Sequence, residues 1–185
     1  MEDYLIACCA PTLAGKKVGN IFSMKKDGLN YPDLDYWNEK LNPYNIKVRL
    51  LKDGISMYLV YVYREMLLDE LLKREDIKSF LHNYGYRCTK TEEMIENLTS
   101  RLEDYKEFPH EIGVFLGYPL SDVLGFIKNK GKCYKTCGLW KVYGDKVESE
   151  RMFSEFNHCK YCFKKLYDKG YKALEIIEKY NGGYQ

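Results

Sequence analysis

The sequence has no hydrophobic run long enough to cross a bilayer, so we do not expect a membrane protein. Charge of one sign is also scarce, since 29 basic and 27 acidic residues leave a net charge of +2. No strong overall field therefore points to nucleic acid or to an anionic membrane. The N-terminus is acidic and its apolar run is short, so we expect no signal peptide and a cytoplasmic location.

The chain is instead rich in cysteine and tyrosine. Seven cysteines in a cytoplasmic protein are more typical of free thiols or metal ligands than of disulfides. The 18 tyrosines indicate many places where a buried ring meets a polar boundary. At 185 residues the chain has the length of one domain, so we predict a single domain over residues 1–185, with residues 171–185 as a candidate C-terminal helical appendage.

A hairpin is the clearest local pattern. Two apolar stretches flank Asp53 and Gly54, a two-residue link that suits a type I′ turn. The second stretch is apolar on both faces, which predicts a central strand that is covered on both sides. In all, we predict a small, mostly antiparallel sheet of three or four strands, at residues 4–8, 46–52, 55–63 and 134–143.

Helical patterns fill most of the remaining chain, which predicts an α+β fold in which helices make up more than half of the residues. Thr89 and Glu92 have the spacing of a capping box ahead of one apolar stripe. A long C-terminal helix is predicted to be interrupted at Gly170. The other predicted helices cover residues 64–73 and 75–84, with a helical turn at residues 34–41.

Residues 109–129 combine two prolines, several glycines and many apolar side chains, and we predict two short helices around a corner. Gly117 suits the left-handed position after the first helix, and Pro119 prevents its continuation. Ser121 is a candidate cap for the second helix, with Asp122 in its first turn.

Four blocks of the sequence carry a family resemblance: CAPTLAGKK at residues 9–17, L-x-x-x-GY at 81–86, FPHEIGVFLGYPLSDVLGFI at 108–127 and CGLWKVYGD at 137–145. Together they resemble the family catalogued as domain of unknown function 3793. The resemblance covers nearly the whole chain and implies a single cytoplasmic domain of anaerobic Gram-positive bacteria. It implies no activity, because none is established for the family. The blocks contain Cys9, His110, Glu111, Cys137, Trp140, Lys141 and Tyr143.

A thiol-centred site that acts on a small molecule or thiol is the first functional hypothesis. Cys9 follows the predicted first strand beside a candidate helix start and Lys17, where a thiolate would be favoured. His110 would serve as its base, and Glu111 would orient His110 or supply protons. As an alternative, Cys9 is a small buried apolar residue and His110 is a helix-start residue bonded to the backbone.

A zinc or haem site is the second hypothesis. Two cysteine pairs, Cys133 with Cys137 and Cys159 with Cys162, have a spacing close to that of structural zinc sites. His158 adjoins the second pair. The alternative is that Cys159 belongs to the apolar stripe of the last helix.

An interaction module is the third hypothesis, because residues 109–129 have the outline of a helix-turn-helix. The second helix offers only Lys128 to meet phosphates, so we do not expect nucleic acid as a partner. Aromatic residues interleaved with lysine over residues 133–143 could stack bases, but Trp140, Lys141 and Tyr143 fit an ordinary strand with one wet face equally well. A small molecule stays the candidate partner, and the sequence leaves open the cofactor and whether the protein is an enzyme.

Overall fold

The computed structural model describes residues 1–26, 33–88, 90–103 and 108–182. The fold is α+β, as predicted: it combines a three-stranded antiparallel sheet, a two-stranded sheet and helices that make up more than half of the chain. Two compact units are present, a first unit of Met1–Met66 with Phe156–Gln185 and a second unit of Leu67–Glu155. No helix in the described part of the chain has the length and apolar content needed to span a membrane.

The elements of the described residues follow in chain order: α1 (Glu2–Leu13), β1 (Gly19–Lys25), α2 (Leu34–Leu41), a 3-10 helix (Asn42–Tyr44), β2 (Ile46–Asp53), β3 (Met57–Arg64), α3 (Glu65–Lys73), α4 (Glu75–His82), α5 (Thr91–Glu103), α6 (Ile112–Phe115), α7 (Leu120–Asn129), β4 (Thr136–Cys137), β5 (Lys141–Val142), α8 (Lys146–Asp168) and α9 (Ala173–Gly182).

The sheet of the first unit has the order β1-β3-β2, and β3 pairs antiparallel with both neighbours. Residues 60–63 of β3 are all buried, which confirms the predicted central strand. The predicted two-residue hairpin link is wrong, because residues 54–56 separate β2 from β3 and Ile55 is fully exposed. A register shift at Leu51 turns this side chain into the core, since an extra residue reverses the inside-outside alternation of a strand.

Helix α1 replaces the strand that was predicted at residues 4–8, so that prediction is wrong. A short apolar run does not distinguish a buried helix from a strand. Pro11 lies in the last turn of α1, where the chain can lose one helical hydrogen bond, and the helix ends two residues later. Residues 10–13 therefore belong to the helix, and β1, which the pattern did not predict, follows it.

One apolar core lies within the first unit. It joins α1 to the sheet, to α2 and to the C-terminal helices, and α9 contributes three fully buried residues to it. Its buried members are Leu5, Ile6, Cys9, Ala10, Leu13, Phe22, Met24, Trp37, Leu41, Ile46, Val48, Val60, Val62, Phe163, Ala173, Ile176 and Ile177.

Helices dominate the second unit. The apolar stripe of α5 is buried as predicted from Met94 to Leu102, whereas Thr89 of the proposed capping box and Tyr105 lie outside the described residues. The corner between α6 and α7 is confirmed, with Gly117 in the left-handed region at φ 72°. Ser121 does not cap α7, because the helix begins one residue earlier and its N-cap is Pro119.

The predicted strand at residues 134–143 is reduced to the short pair β4 and β5. The three residues between them form the turn, in which the Gly138 amide donates to the Trp140 carbonyl. The long C-terminal helix and its interruption are confirmed, since α8 ends at Asp168 and Gly170 adopts φ 91° before α9 begins.

Candidate functional site

His110 lies in the turn before α6 in the second unit and is exposed to solvent. Its ring packs edge-on against Phe126 of α7, with 4.9 Å between the ring centroids. On its other side the ring of Phe108 lies 5.7 Å away, and Phe108 is 58% exposed. An imidazole and two phenyl rings thus meet at the surface instead of being enclosed in the core.

Lys141 of β5 extends this group of rings. Its Nζ lies 5.8 Å from the ring centroid of Phe126 and 5.1 Å from that of Tyr134, both within the range of cation–π contacts. The same Nζ donates a hydrogen bond of 2.7 Å to the Gly131 carbonyl, which fixes the position of the charge. The contacts form a continuous row, which we call the basic aromatic surface: Phe108, His110, Phe126, Lys141 and Tyr134.

The chain around this row is strongly basic. Residues 123–144 contain five lysines and no aspartate or glutamate, although the whole chain has a net charge of only +2. Four of the five are exposed and Lys141 is half-buried. No acid offsets these lysines within the segment, which Asp122 and Asp145 bound. The lysines are Lys128, Lys130, Lys132, Lys135 and Lys141.

The loop that follows α7 is tightly wound against the row. Lys130 and Cys133 adopt φ angles of 49° and 58°, a region that side chains other than glycine rarely occupy. Gly131 lies between them at φ 72°, where a Cβ would come within 3.2 Å of the Phe126 ring and 3.4 Å of Lys141 Nζ. The close approach of the loop to the ring and the amine therefore requires glycine.

Asp122 anchors β5 to the first turn of α7. Its buried carboxylate accepts hydrogen bonds from Trp140 Nε1 at 2.7 Å, from the Tyr143 amide at 2.8 Å and from the Gly144 amide at 2.7 Å. Because Lys141 lies between two of these donors, Asp122 holds the strand that presents it. The sequence placed Asp122 in the first turn of a helix but did not indicate its role in the site. The only signal was a lone acid inside an apolar segment.

The hydroxyl of Tyr143 is a further polar group near the row. Among the described residues it is the buried side-chain polar atom without a hydrogen-bond partner. Desolvation raises the pKa of Tyr143, and the neighbouring groups of Cys133 and Tyr134 add to that effect. An unpaired buried hydroxyl is a donor and acceptor that a ligand or a water molecule can use.

A family model, described as protein of unknown function (DUF3793), matches residues 5–177 of the chain. The chain belongs to this family. No curated protein and no solved structure matches it. In this DUF3793 protein the whole basic aromatic surface and Asp122 fall within the matched residues.

Glu111 and its neighbour His110 contact different residues. Its carboxylate is buried and accepts hydrogen bonds from Arg101 Nε at 2.5 Å and from the Tyr86 hydroxyl at 3.3 Å. Burial and the charge of Glu111 raise the pKa of Tyr86. Glu111 thus joins α5 to the start of α6, and the suggestion that it orients His110 or supplies protons stays a prediction.

Cys9 of the DUF3793 protein lies in the first unit, inside α1, and is fully buried. The expected position at a strand end beside a helix N-terminus is wrong. Burial raises the pKa of the Cys9 thiol, the nearby Cys8 adds to this, and the charges of Lys17 and Lys160 only partly oppose it. Cys9 and His110 belong to different units, and a joint reactive site stays a prediction.

The four cysteines proposed as metal ligands are also divided between the units. Cys133 and Cys137 are exposed in the second unit, whereas Cys159 and Cys162 lie on α8 in the first unit. Cys162 Sγ has His158 Nε2 at 3.5 Å as a neighbour. In the described ranges, no three His, Cys, Asp or Glu side chains form a group that could hold a metal ion. Zinc or haem binding stays a prediction.

Proposed function

We propose that this DUF3793 protein binds single-stranded nucleic acid through the basic aromatic surface. The observation that carries the proposal is the row of rings interleaved with Lys141, within a segment of five lysines and no acid. Proteins that bind single strands combine cations that meet the phosphates with aromatic rings on which bases stack.

The number of rings favours a strand over a single nucleotide. Phe108, Phe126 and Tyr134 are three separate rings, linked through His110 and Lys141. A mononucleotide has one base to stack, whereas a strand can place successive bases on successive rings. The exposed lysines of the loop then lie close enough in sequence to follow a phosphate backbone.

A single strand also fits better than a duplex. The bases of a duplex are stacked on each other, so exposed rings contribute little to its binding. Helix α7 itself offers only Lys128 as a cation for a groove. The proposal departs from the expectation that nucleic acid is not a partner, which rested on the single cation of α7 and assigned Trp140, Lys141 and Tyr143 to an ordinary strand. A small-molecule partner and a cytoplasmic, bacterial setting stay predictions.

Fluorescence anisotropy with a labelled oligothymidylate tests the proposal. We expect binding that weakens as salt rises, because phosphate contacts release counterions. An unlabelled single strand should compete well, a duplex of equal length weakly, and thymidine monophosphate hardly at all. No binding at low salt, or equal competition by heparin and the single strand, would contradict the proposal.

Matched variants separate stacking from charge. Tyr134→Ala should weaken binding by about 1–3 kcal/mol, the usual contribution of one base stacked on a ring. Tyr161→Ala is the control, since Tyr161 is 63% exposed and has Lys165 Nζ 5.8 Å from its ring, outside the basic aromatic surface. Lys132→Gln should reduce the salt slope by about one unit. Equal effects of the two tyrosine variants would count against the surface.

A further inference from the structure

Helix α8 carries a histidine and a cysteine that contact each other at the surface of the first unit. His158 and Cys162 lie four residues apart, and on a helix this spacing places two side chains on one face, one above the other. Cys162 Sγ lies 3.5 Å from His158 Nε2. His158 is exposed and Cys162 is half-buried, so a dissolved ion can reach the pair.

The distance between these two atoms matches the separation of two ligands on one zinc ion. A zinc–sulfur bond is about 2.3 Å long, and a zinc–nitrogen bond is about 2.0–2.1 Å long. At the tetrahedral angle, two ligands with these bond lengths lie about 3.5 Å apart. The sulfur and the nitrogen are therefore already spaced to bind one ion. A thiolate and an imidazole also favour zinc over magnesium or calcium, which bind oxygen ligands.

The packing of α8 fixes the backbone that carries the two ligands. Phe156, Cys159 and Phe163 are buried along the helix, and Phe163 belongs to the apolar core of the first unit. Ligands that are held in place before binding lose little conformational entropy when an ion arrives. Cys159, which the sequence paired with Cys162, is only 3% exposed, so the exposed His158 is the partner that an ion can reach.

We propose that His158 and Cys162 form an exchangeable binding site for zinc. The thiol releases its proton as the sulfur binds the ion, and the neutral imidazole supplies the second ligand. Water fills the two other positions of a tetrahedral ion. In the part of the chain that the structure describes, no third His, Cys, Asp or Glu completes the group.

This two-ligand site differs from the site of four cysteines that the sequence predicts. A structural zinc centre has four protein ligands, and its metal contributes to folding. The pair on α8 leaves two positions to water, so zinc should bind reversibly to a chain that is already folded. The proposal concerns the first unit alone and is independent of the basic aromatic surface.

Titration of the intact, reduced chain with cobalt(II) tests the proposal, because cobalt(II) replaces zinc in tetrahedral sites and absorbs light. We expect sulfur-to-cobalt charge-transfer absorption in the near ultraviolet, which zinc abolishes and magnesium leaves unchanged. Cys162→Ser and His158→Ala should each weaken binding at least about ten-fold, since the loss of an outer partner of a ligand already costs about 10–100-fold. Circular dichroism shows that both variants fold.

Matched variants in the second unit show whether the pair itself is required. Cys133→Ser removes an exposed thiol and His82→Ala removes an exposed imidazole, and both variants should bind cobalt(II) as the wild type does. Zinc should also slow the alkylation of Cys162 by iodoacetamide, measured by fragmentation of its peptide in a mass spectrometer. Absence of the absorption in the wild type, equal absorption in Cys162→Ser, or full protection by zinc in His158→Ala would overturn the proposal.

Discussion

Lys17 shows how one buried charge links burial to the pH dependence of stability. Its pKa is about 7 in the folded chain and near 10.5 when exposed, so the unfolded state binds more protons between these values. The free energy of unfolding therefore rises with pH through this window. Below pH 7 the ammonium is buried at its full cost. Lys16 beside it is exposed, although the two residues look alike in sequence.

We predict that Lys17→Met removes this pH dependence. Relative to the variant, the wild-type chain should gain about 1.4 kcal/mol in unfolding free energy per pH unit above about pH 7. The difference should level off near pH 10.5, where the lysine of the unfolded chain loses its proton. Cys9 is present in both chains, so the ionisation of its thiol largely cancels in the comparison. Urea titrations at several pH values measure the difference, with Lys16→Met as the control. If the unfolding free energies of wild type and Lys17→Met changed in parallel with pH, the prediction would be wrong.

Residue types alone indicated only part of the candidate site. The sequence indicated His110, which lies in the basic aromatic surface, and Cys9, which is buried in helix α1. The strand predicted at residues 4–8, which is helix in the structure, was enough to misplace Cys9 beside a helix start. The partner of Glu111 could not be predicted, because Arg101 is ten residues away and contact depends on how α5 packs.

At the scale of elements, long periodic patterns in the sequence predicted helices and strands well, and short patterns predicted them poorly. The stripe of α5 and the hairpin of β2 and β3 were found because several turns or a full alternation support each pattern. Strand β1 was missed because Gly19 and Asn20 are poor strand formers and the alternation covers only Phe22 to Lys25, so its pairing with β3 defines the strand.

The candidate site depends on the contact between α7 and β5. A substitution at Asp122 tests this contact. Asp122→Ala leaves the buried indole N–H of Trp140 and two backbone amides without their acceptor. We predict a loss of about 3 kcal/mol or more in unfolding free energy, since each unsatisfied buried donor costs about 1–3 kcal/mol. Urea unfolding measures the loss.

Asp145→Ala is the matched control for Asp122. Asp145 is exposed and accepts one hydrogen bond, from the Glu148 amide at the start of α8. Its removal should cost only about 1 kcal/mol, as for other helix caps. Asp122→Asn keeps an acceptor for the two backbone amides. Its loss in unfolding free energy should therefore lie between the losses of the two alanine variants. Equal losses at Asp122 and Asp145 would show that the buried carboxylate is not the main anchor.

For the whole molecule, net charge conceals the feature that suggests a function. A chain with +2 overall contains an acid-free stretch of 22 residues with five lysines, at residues 123–144. Because those five lysines exceed the net charge of +2, the remaining residues together carry more acid than base. Composition shows only the sum of the charges, and the folded arrangement shows that Lys141 meets the rings of Phe126 and Tyr134.

The two compact units raise the question of whether the chain unfolds as one domain, as the sequence predicts. The boundaries between the units fall inside α3 and inside α8, not in linkers. Neither unit can therefore unfold without removing turns from a helix that the other unit shares, so we predict one cooperative transition. The chain has a natural probe in each unit, since Trp37 lies in the first and Trp140 in the second.

Two single-tryptophan variants measure this coupling. In Trp37→Phe, fluorescence reports the second unit through Trp140, and in Trp140→Phe it reports the first unit through Trp37. We expect fluorescence and far-ultraviolet circular dichroism to give coincident urea transitions in each variant. Trp140→Phe also removes a hydrogen bond to Asp122 in the second unit, so a coupled chain should show a lower midpoint at Trp37 as well. An unchanged Trp37 midpoint, with circular dichroism split into two transitions, would mean that the units unfold independently.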